Sequence, residues 1–469
     1  MIDEPEPRAS APASRARRSP RVALLPFLST ILAGCGGLGT RQTQQSPDQE
    51  RIDRGLLEGM DPNGRIPKVE LPPDVPNPER WRYFPEGRIV EGSIADRLFI
   101  STFAVPIFFF KSDVGAGGGL SLTDIDFRTQ RRREFATTTL TYTTEGQQNY
   151  AILWRRWLDN RDLEGGGVIQ EERSYVRLFA GYTKTLSRRF FGFGPDTLAS
   201  AETSYTEELS SVDAGYQESL PEAGDDWVVN AGARVEHRNL GRGFVEGAPD
   251  TKDAFPETFA DGDDLSSLWL NAGLRYDTRD SQANPYRGWS LGAWLEGTPL
   301  MSGGRSGSLY GLESSAAFPL PPLLHDGGDE QEEDPPTDVL AWTFQVQDSS
   351  GDLPFWALPT LGGSSRLRGY IANRWTDESA WFSAMEYRFA LVPRGFAFDE
   401  RVRAERVSMA LFYELGAVAP GVGELDDAEV HDSVGFGLRI QLERSAVFRF
   451  DVGFSDEDTN LTVLYGLSF

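Results

Sequence analysis

Ser433-Val-Gly-Phe-Gly-Leu-Arg-Ile-Gln-Leu-Glu443 and, after a short turn, Ala446-Val-Phe-Arg-Phe-Asp-Val-Gly-Phe454 decide the fold of this 469-residue chain. Successive side chains of an extended strand point to opposite faces. In the first stretch Val434, Phe436, Leu438, Ile440 and Leu442 share one face, opposed by Ser433, Gly435, Gly437, Arg439, Gln441 and Glu443. In the second, Ala446, Phe448, Phe450, Val452 and Phe454 oppose Arg449, Asp451 and Gly453. A soluble sandwich uses strands of about five or six residues and turns its aromatics inward. Here the face opposite the aromatics carries charges that a dry core would not accept unpaired. A barrel with lipid outside and a polar lumen accepts both faces.

The same alternation recurs at Leu268/Leu270/Ala272/Leu274/Tyr276, at Leu340/Trp342/Phe344/Val346 and at Val407/Met409/Leu411/Tyr413/Leu415. The last set is opposed by Ser408, Ala410, Phe412 and Glu414. Marking every period-two run predicts strands at 102–112, 116–126, 135–144, 147–157, 173–184, 205–217, 226–237, 266–277, 288–299, 307–319, 338–348, 380–392, 403–416, 433–443, 445–455 and 460–469. The expected fold is therefore all-β, a sixteen-stranded antiparallel transmembrane β-barrel over 102–469. No apolar stretch of 18 residues is present, so a helical membrane protein is not expected.

The N-terminal region reads differently. Arg15, Arg17, Arg18 and Arg21 precede the apolar run Val22–Ala33, which ends in Leu32-Ala-Gly-Cys35. A basic segment, a short apolar segment and small residues before a cut describe a secretory signal over 1–34. The Leu-Ala-Gly-Cys end resembles a bacterial lipobox, which makes Cys35 the expected lipidation site. Cys35 is the single cysteine, so no intrachain disulfide staples the fold. Residues 35–101 are rich in Gln, Asp, Pro and Arg and include Leu71-Pro-Pro-Asp-Val-Pro-Asn-Pro78. They read as a flexible tether with no folded domain.

A formal charge of −25, from 46 basic and 71 acidic residues, argues against nucleic acid as a partner. The acidic runs Asp261–Asp264, Asp329–Asp334 and Glu424–Glu429 read as solvated loops, and none has the full spacing of a calcium loop. His237, His325 and His431 are dispersed, with no metal-ligand spacing, and no nucleophile elbow, P-loop or dinucleotide fingerprint occurs. No cofactor, metal site or enzyme activity is expected.

Between the strands expected at 338–348 and 380–392, Leu358-Pro-Thr-Leu-Gly-Gly-Ser-Ser-Arg-Leu-Arg-Gly-Tyr370 occupies the longest connection. It resembles the loop signature of the BamA/TamA outer-membrane assembly-factor superfamily, the bacterial surface antigen barrels. The resemblance implies an extracellular loop folded back into the lumen, with Leu367-Arg368-Gly369-Tyr370 as its tip. It also implies that Arg368 docks on acidic residues of the inner wall, at positions matching Glu386 and Glu414. The second lies in Phe412-Tyr-Glu-Leu-Gly416, where the family more often carries Asp. Alternation independently puts both glutamates on the polar face, where a guanidinium can engage a carboxylate bidentately. Gly369 is expected to free the backbone for a turn.

Two further stretches carry the resemblance. Tyr276-Asp-Thr-Arg-Asp-Ser-Gln-Ala-Asn-Pro-Tyr-Arg-Gly-Trp289 is similar to the family's central turn on the periplasmic side, with Asp277, Arg279, Asp280 and Arg287 able to cross-pair. Leu461-Thr-Val-Leu-Tyr-Gly-Leu-Ser-Phe469 is similar to the signal by which outer-membrane assembly machinery captures its substrates. Its marks are Tyr465, Gly466, Leu467 and Phe469, with Leu461, Val463, Tyr465, Leu467 and Phe469 expected on one face. Arg189-Phe-Phe-Gly-Phe-Gly-Pro-Asp196 resembles an aromatic-glycine loop of short family members and receives no role. The family's periplasmic POTRA modules have no counterpart in 35–101.

The resemblance implies an integral outer-membrane protein that inserts or translocates proteins or lipids, working at the seam between its first and last strands. Its expected partners are outer-membrane lipid, the assembly machinery for its own insertion, and client proteins. The alternatives are a passive or selective pore and a surface-exposed structural or adhesive barrel.

Overall fold

The computed structural model describes residues 64–469, apart from 90, 99, 112–113, 398–402 and 444–445. The signal segment 1–34, Cys35 and the first part of the expected tether therefore lie outside the described residues.

Sixteen antiparallel strands form one sheet, each paired to its neighbours in chain order. They are β1 (Thr102–Lys111), β2 (Gly115–Asp124), β3 (Glu134–Thr143), β4 (Gln148–Trp157), β5 (Tyr175–Phe190), β6 (Thr203–Leu220), β7 (Trp227–Arg242) and β8 (Asp264–Asp277). The remainder are β9 (Gly288–Met301), β10 (Gly307–Leu320), β11 (Asp338–Gly351), β12 (Ser379–Val392), β13 (Arg406–Ala419), β14 (His431–Glu443), β15 (Ala446–Phe454) and β16 (Thr459–Tyr465). Every strand read from the alternation overlaps one of these.

The exposure pattern is inverted relative to a soluble protein. On β14 Val434 is 52% and Phe436 41% exposed, whereas Arg439 on the opposite face is 3% exposed. Asp451 and Glu386 are fully buried, and Leu270, Leu274, Leu312 and Leu411 point outward. The apolar face is the one that meets lipid, and the barrel interior carries the charge.

Wall height is uneven. Strands β5, β6 and β7 run 16, 18 and 16 residues, whereas β1 has 10, β15 has 9 and β16 has 7. Among the described residues no ladder joins β1 to β16, so the sheet has a seam there. Pro106, which cannot donate to a ladder, sits within β1 opposite Leu120.

We call the end where β1 begins the near end. At the far end, the β7–β8 connection forms two short helices, Thr251–Ala254 and Pro256–Ala260. Phe259 joins Phe190, Tyr205, Leu240 and Phe355 in a buried cluster that links this connection to the β5–β6 and β11–β12 connections. At the near end, part of the expected tether is ordered against the barrel. Trp81–Phe84 forms a strand paired with Val168–Glu171 of the β4–β5 connection. A local period did not reveal this strand, because its partner lies far along the chain and its four residues are too few to show alternation.

Candidate functional site

Gly362 and Gly363, at φ +98° and +110°, begin the inward course of the β11–β12 connection, and Leu367 adopts φ +52° at its tip. Leu361, Leu367, Tyr370 and Trp375 pack with Ala380, Phe382, Ala384 and Val418 of the inner wall in a buried cluster. That packing carries Arg368 into the lumen, where its side chain is fully buried.

There the guanidinium meets three carboxylates on three strands. Its Nε donates to Glu414 Oε1 on β13 at 2.8 Å, and its Nη1 donates to Glu386 Oε2 on β12 at 3.1 Å. Nη1 also donates to Asp451 Oδ2 on β15 at 2.9 Å. The backbone N–H of Arg368 reaches Glu414 Oε2 at 2.5 Å, and Ser433 of β14 donates to the same oxygen at 2.8 Å. The guanidinium carbon lies 3.4 Å from the Phe412 ring centroid, a cation–π contact between two buried side chains.

The register explains why so many charges coexist. Arg439 lies directly opposite Arg449, a repulsive placement by itself. Asp451 bonds both of them, and Glu386 takes Arg439 Nη2 at 3.2 Å and Arg388 Nε at 2.7 Å. Four arginines thus interleave with three acids across β12–β15 and the loop, each acid being multiply bonded.

Gly369 departs from the expected reason for a glycine. Its φ is not in the left-handed region, and Leu367 makes the turn instead. A Cβ on Gly369 would lie 2.5 Å from the Phe454 carbonyl, and one on Gly453 would lie 2.5 Å from the Arg368 carbonyl carbon. The two glycines let loop and strand backbones touch.

The clasp extends to the seam hairpin. Tyr370 Oη donates to Asp456 at 2.7 Å, and Ser455 Oγ donates to the Gly369 carbonyl at 3.1 Å. Arg374 makes a two-pronged pair with Glu457, Nε–Oε2 at 2.6 Å and Nη2–Oε1 at 2.7 Å. The same side chain bonds Thr197 O at 2.6 Å and covers the Phe191 and Trp375 rings.

A model of the Omp85 superfamily domain matches residues 92–469. The chain belongs to the Omp85 superfamily. Among solved structures, BamA from Haemophilus ducreyi lacking POTRA domains 1–3 is similar at 14% identity and a TM-score of 0.45, over 78% of this chain and 68% of that one. CdiB from Escherichia coli gives 12% identity and a TM-score of 0.48 over 78% of this chain and 61% of that one. CdiB from Acinetobacter baumannii gives 10% and 0.42, over 78% and 60%. The chain thus spans about three fifths of the CdiB chains it resembles. No curated protein matches it. Omp85 proteins are outer-membrane barrels, and this chain's sixteen-stranded sheet is of that kind.

In this Omp85 barrel the C-terminal segment departs from its expected course. Strand β16 stops at Tyr465, Gly466 turns the chain at φ +91°, and Leu467 and Phe469 do not continue the outer face of Leu461 and Val463. Phe469 packs against a buried cluster of Tyr286, Ala317, Val339 and Ala341. Its main-chain oxygen accepts from Arg388 Nη2 at 3.0 Å, and the Arg388 guanidinium stands 5.4 Å from its ring. Alternation alone carried the strand to its end, but a left-handed glycine reverses which face follows it.

The central near-end turn is tied within itself. Arg279 grips Asp277 bidentately at 2.9 Å on both prongs, and Asp280 accepts the backbone N–H of Tyr286 at 3.0 Å and of Arg287 at 3.3 Å. The Arg189–Asp196 stretch acquires a place: Phe190 centres the far-end cluster, Phe191 lies under Arg374, and the Pro195 carbonyl meets His431 Nε2 at 3.2 Å. The sequence alone does not single out Asp451, Arg439, Arg449 or Arg374 as site residues. Asp451, Arg439 and Arg449 were legible only as inner-face positions, because nothing in one sequence pairs an acid on β15 with a loop tip some eighty residues earlier.

Proposed function

We propose that this Omp85 barrel inserts or translocates proteins or lipids at the outer membrane, with the near end facing the periplasm. The observation that carries the reading is the seam. Among the described residues no ladder joins β1 to β16, and a strand edge without a neighbour can pair with an incoming strand. The wall is also lowest there. At about 3.3 Å per residue, the seven residues of β16 span roughly 23 Å even untilted, less than the apolar band of about 25 Å that a barrel normally presents. Lipid beside the seam must thin to match, which lowers the barrier to insertion.

On this reading the loop tip is structural. Arg368 fixes β12, β13 and β15 to one another, and Arg374 holds the β15–β16 hairpin in place beside the seam. The partners proposed are outer-membrane lipid, client proteins, and the assembly machinery that receives this chain through its C-terminal strand. Cys35, if acylated, would add a lipid anchor. Reconstitution into liposomes with an unfolded barrel client tests the function; faster client folding than in empty liposomes supports it. No acceleration, together with steady conductance in planar bilayers, would replace it with a pore.

A further inference from the structure

We propose that the described residues of 64–97 form a strap that fixes the near-end spacing of β2 through β11. This stretch makes them one rigid arc and the loop clasp makes β12–β15 a second; a ladder joins β11 to β12 between the two arcs, and among the described residues neither the ladders nor these two sets of bonds join β1 to β16. Residues 64–91 lie before the part of the chain that the family domain matches.

The strap runs against the strand order and is fastened at each connection it meets. At the β10–β11 connection Lys68 N–H donates to Gln331 O at 2.7 Å, and Glu333 N–H donates to Ile66 O at 2.8 Å. Asn77, at φ +47°, turns the chain and donates to Asp225 Oδ1 of the β6–β7 connection at 2.8 Å. Arg80 then bridges two connections, bonding Asp226 Oδ1 at 3.0 Å and the Thr278 carbonyl of β8–β9 at 2.9 Å. Trp81–Phe84 adds a strand to Val168–Glu171 of β4–β5. Glu86 takes both Nη groups of Arg131, in the β2–β3 connection, at 3.0 and 2.8 Å, and the Gly167 N–H at 2.8 Å. Arg97, buried, closes the series on Asp124 at 2.9 Å and the Asp126 carbonyl at 2.9 Å.

Reach and slack fit the role. Strands spaced about 4.8 Å apart and tilted about 40° each occupy roughly 6 Å of circumference, so ten strands take about 60 Å. The stretch from Ile66 to Arg97 could extend to about 100 Å, so it follows the rim without tension. Each exposed ion pair is worth little alone, but five connections fastened to one backbone cannot spread independently. The loop clasp holds β12, β13, β14 and β15 through Arg368, Glu386, Glu414, Ser433 and Asp451. Neither set of bonds crosses from β16 to β1. The strap's role does not depend on what passes through the seam.

Spin-label distances in the full chain in a lipid bilayer test this directly. Labels at exposed Gln130 and Glu330 sit at the two ends of the strapped arc, and labels at Asp427 and Asp458 report the clasped block. Arg80→Ala combined with Glu86→Gln should broaden the Gln130–Glu330 distribution and leave the Asp427–Asp458 distribution unchanged. Asn77→Ala, a milder lesion that removes one fastening, should broaden it less and serves if the double variant does not fold. An unchanged Gln130–Glu330 distribution in a folded strap variant overturns the proposal. So does equal broadening of both pairs.

Discussion

Arg374 holds Glu457 by two parallel hydrogen bonds, and through them ties the end of the lumenal loop to the hairpin that borders the seam. The pair is lodged between the β5–β6 connection and the loop, with the arginine side chain 2% exposed. A buried guanidinium held bidentately has little freedom, so the hairpin's position follows the loop's. Replacing either residue should release the hairpin. Hydrogen exchange at residues 455–465 should rise in Arg374→Ala and in Glu457→Gln, and exchange in β12 and β13 should not. The double variant should add little to either single change, with a coupling of about 0.5–3 kcal/mol as expected for contacting residues.

Arg368→Ala should be the most damaging single change in the lumen. It leaves Glu386, Glu414 and Asp451 buried with one cation fewer, a loss of about 3–5 kcal/mol for a broken buried network. Arg368→Lys keeps the charge but not the forked geometry and should fall between. The temperature at which the folded band disappears in heat-modifiability electrophoresis measures the order. Equal stability of wild type and Arg368→Ala would refute it.

Gly369→Ala and Gly453→Ala should each destabilise the loop by overpacking, at about 1–3 kcal/mol. The added methyl in either would press on the backbone across the contact. Gly466→Ala meets open space but forces φ +91° on a residue with a side chain. It should instead straighten the chain after Tyr465 and withdraw Phe469 from Arg388. Cross-linking between positions 388 and 469 reads that directly.

Acid should loosen the strap at one fastening. Hydrogen bonds from Arg131, and then from the Gly167 N–H, hold the Glu86 carboxyl down at about 2, against 4.5 when unfolded. A depressed acid contributes its stability in full above the unfolded value and loses it as pH falls toward the folded one. Protection of residues 81–84 should therefore decline between about pH 4.5 and pH 2. Burial raises the neighbouring Glu171 and works in the opposite sense, so the comparison is with Glu86→Gln, which should lack the decline attributable to this group. A variant with the wild-type pH profile would exclude Glu86 as the cause.

The barrel was legible in the sequence because period two survives a lipid boundary: Val434, Phe436, Leu411 and Leu270 face outward as read. Glu386, Glu414 and Arg368 were legible through the loop signature together with strand parity. What lay beyond reach was contact between distant segments. Asp451 was assigned to the inner face but not to Arg368, since parity gives a face and not a partner. Trp81–Phe84 looked like tether because its pairing partner, Val168–Glu171, lies in a near-end connection rather than in a neighbouring strand. Period two carries Phe469 to the outer face, but Gly466, at φ +91°, interrupts the alternation.

In the proposed function, the seam between β1 and β16 is the working edge. Val105→Cys paired with Val463→Cys places one thiol on each edge strand, in a chain whose only native cysteine is Cys35. Oxidised protein, reconstituted in liposomes with an unfolded barrel client, should fold that client no faster than empty liposomes, and reduction should restore the acceleration. Full acceleration by a barrel whose seam is demonstrably cross-linked would contradict the account.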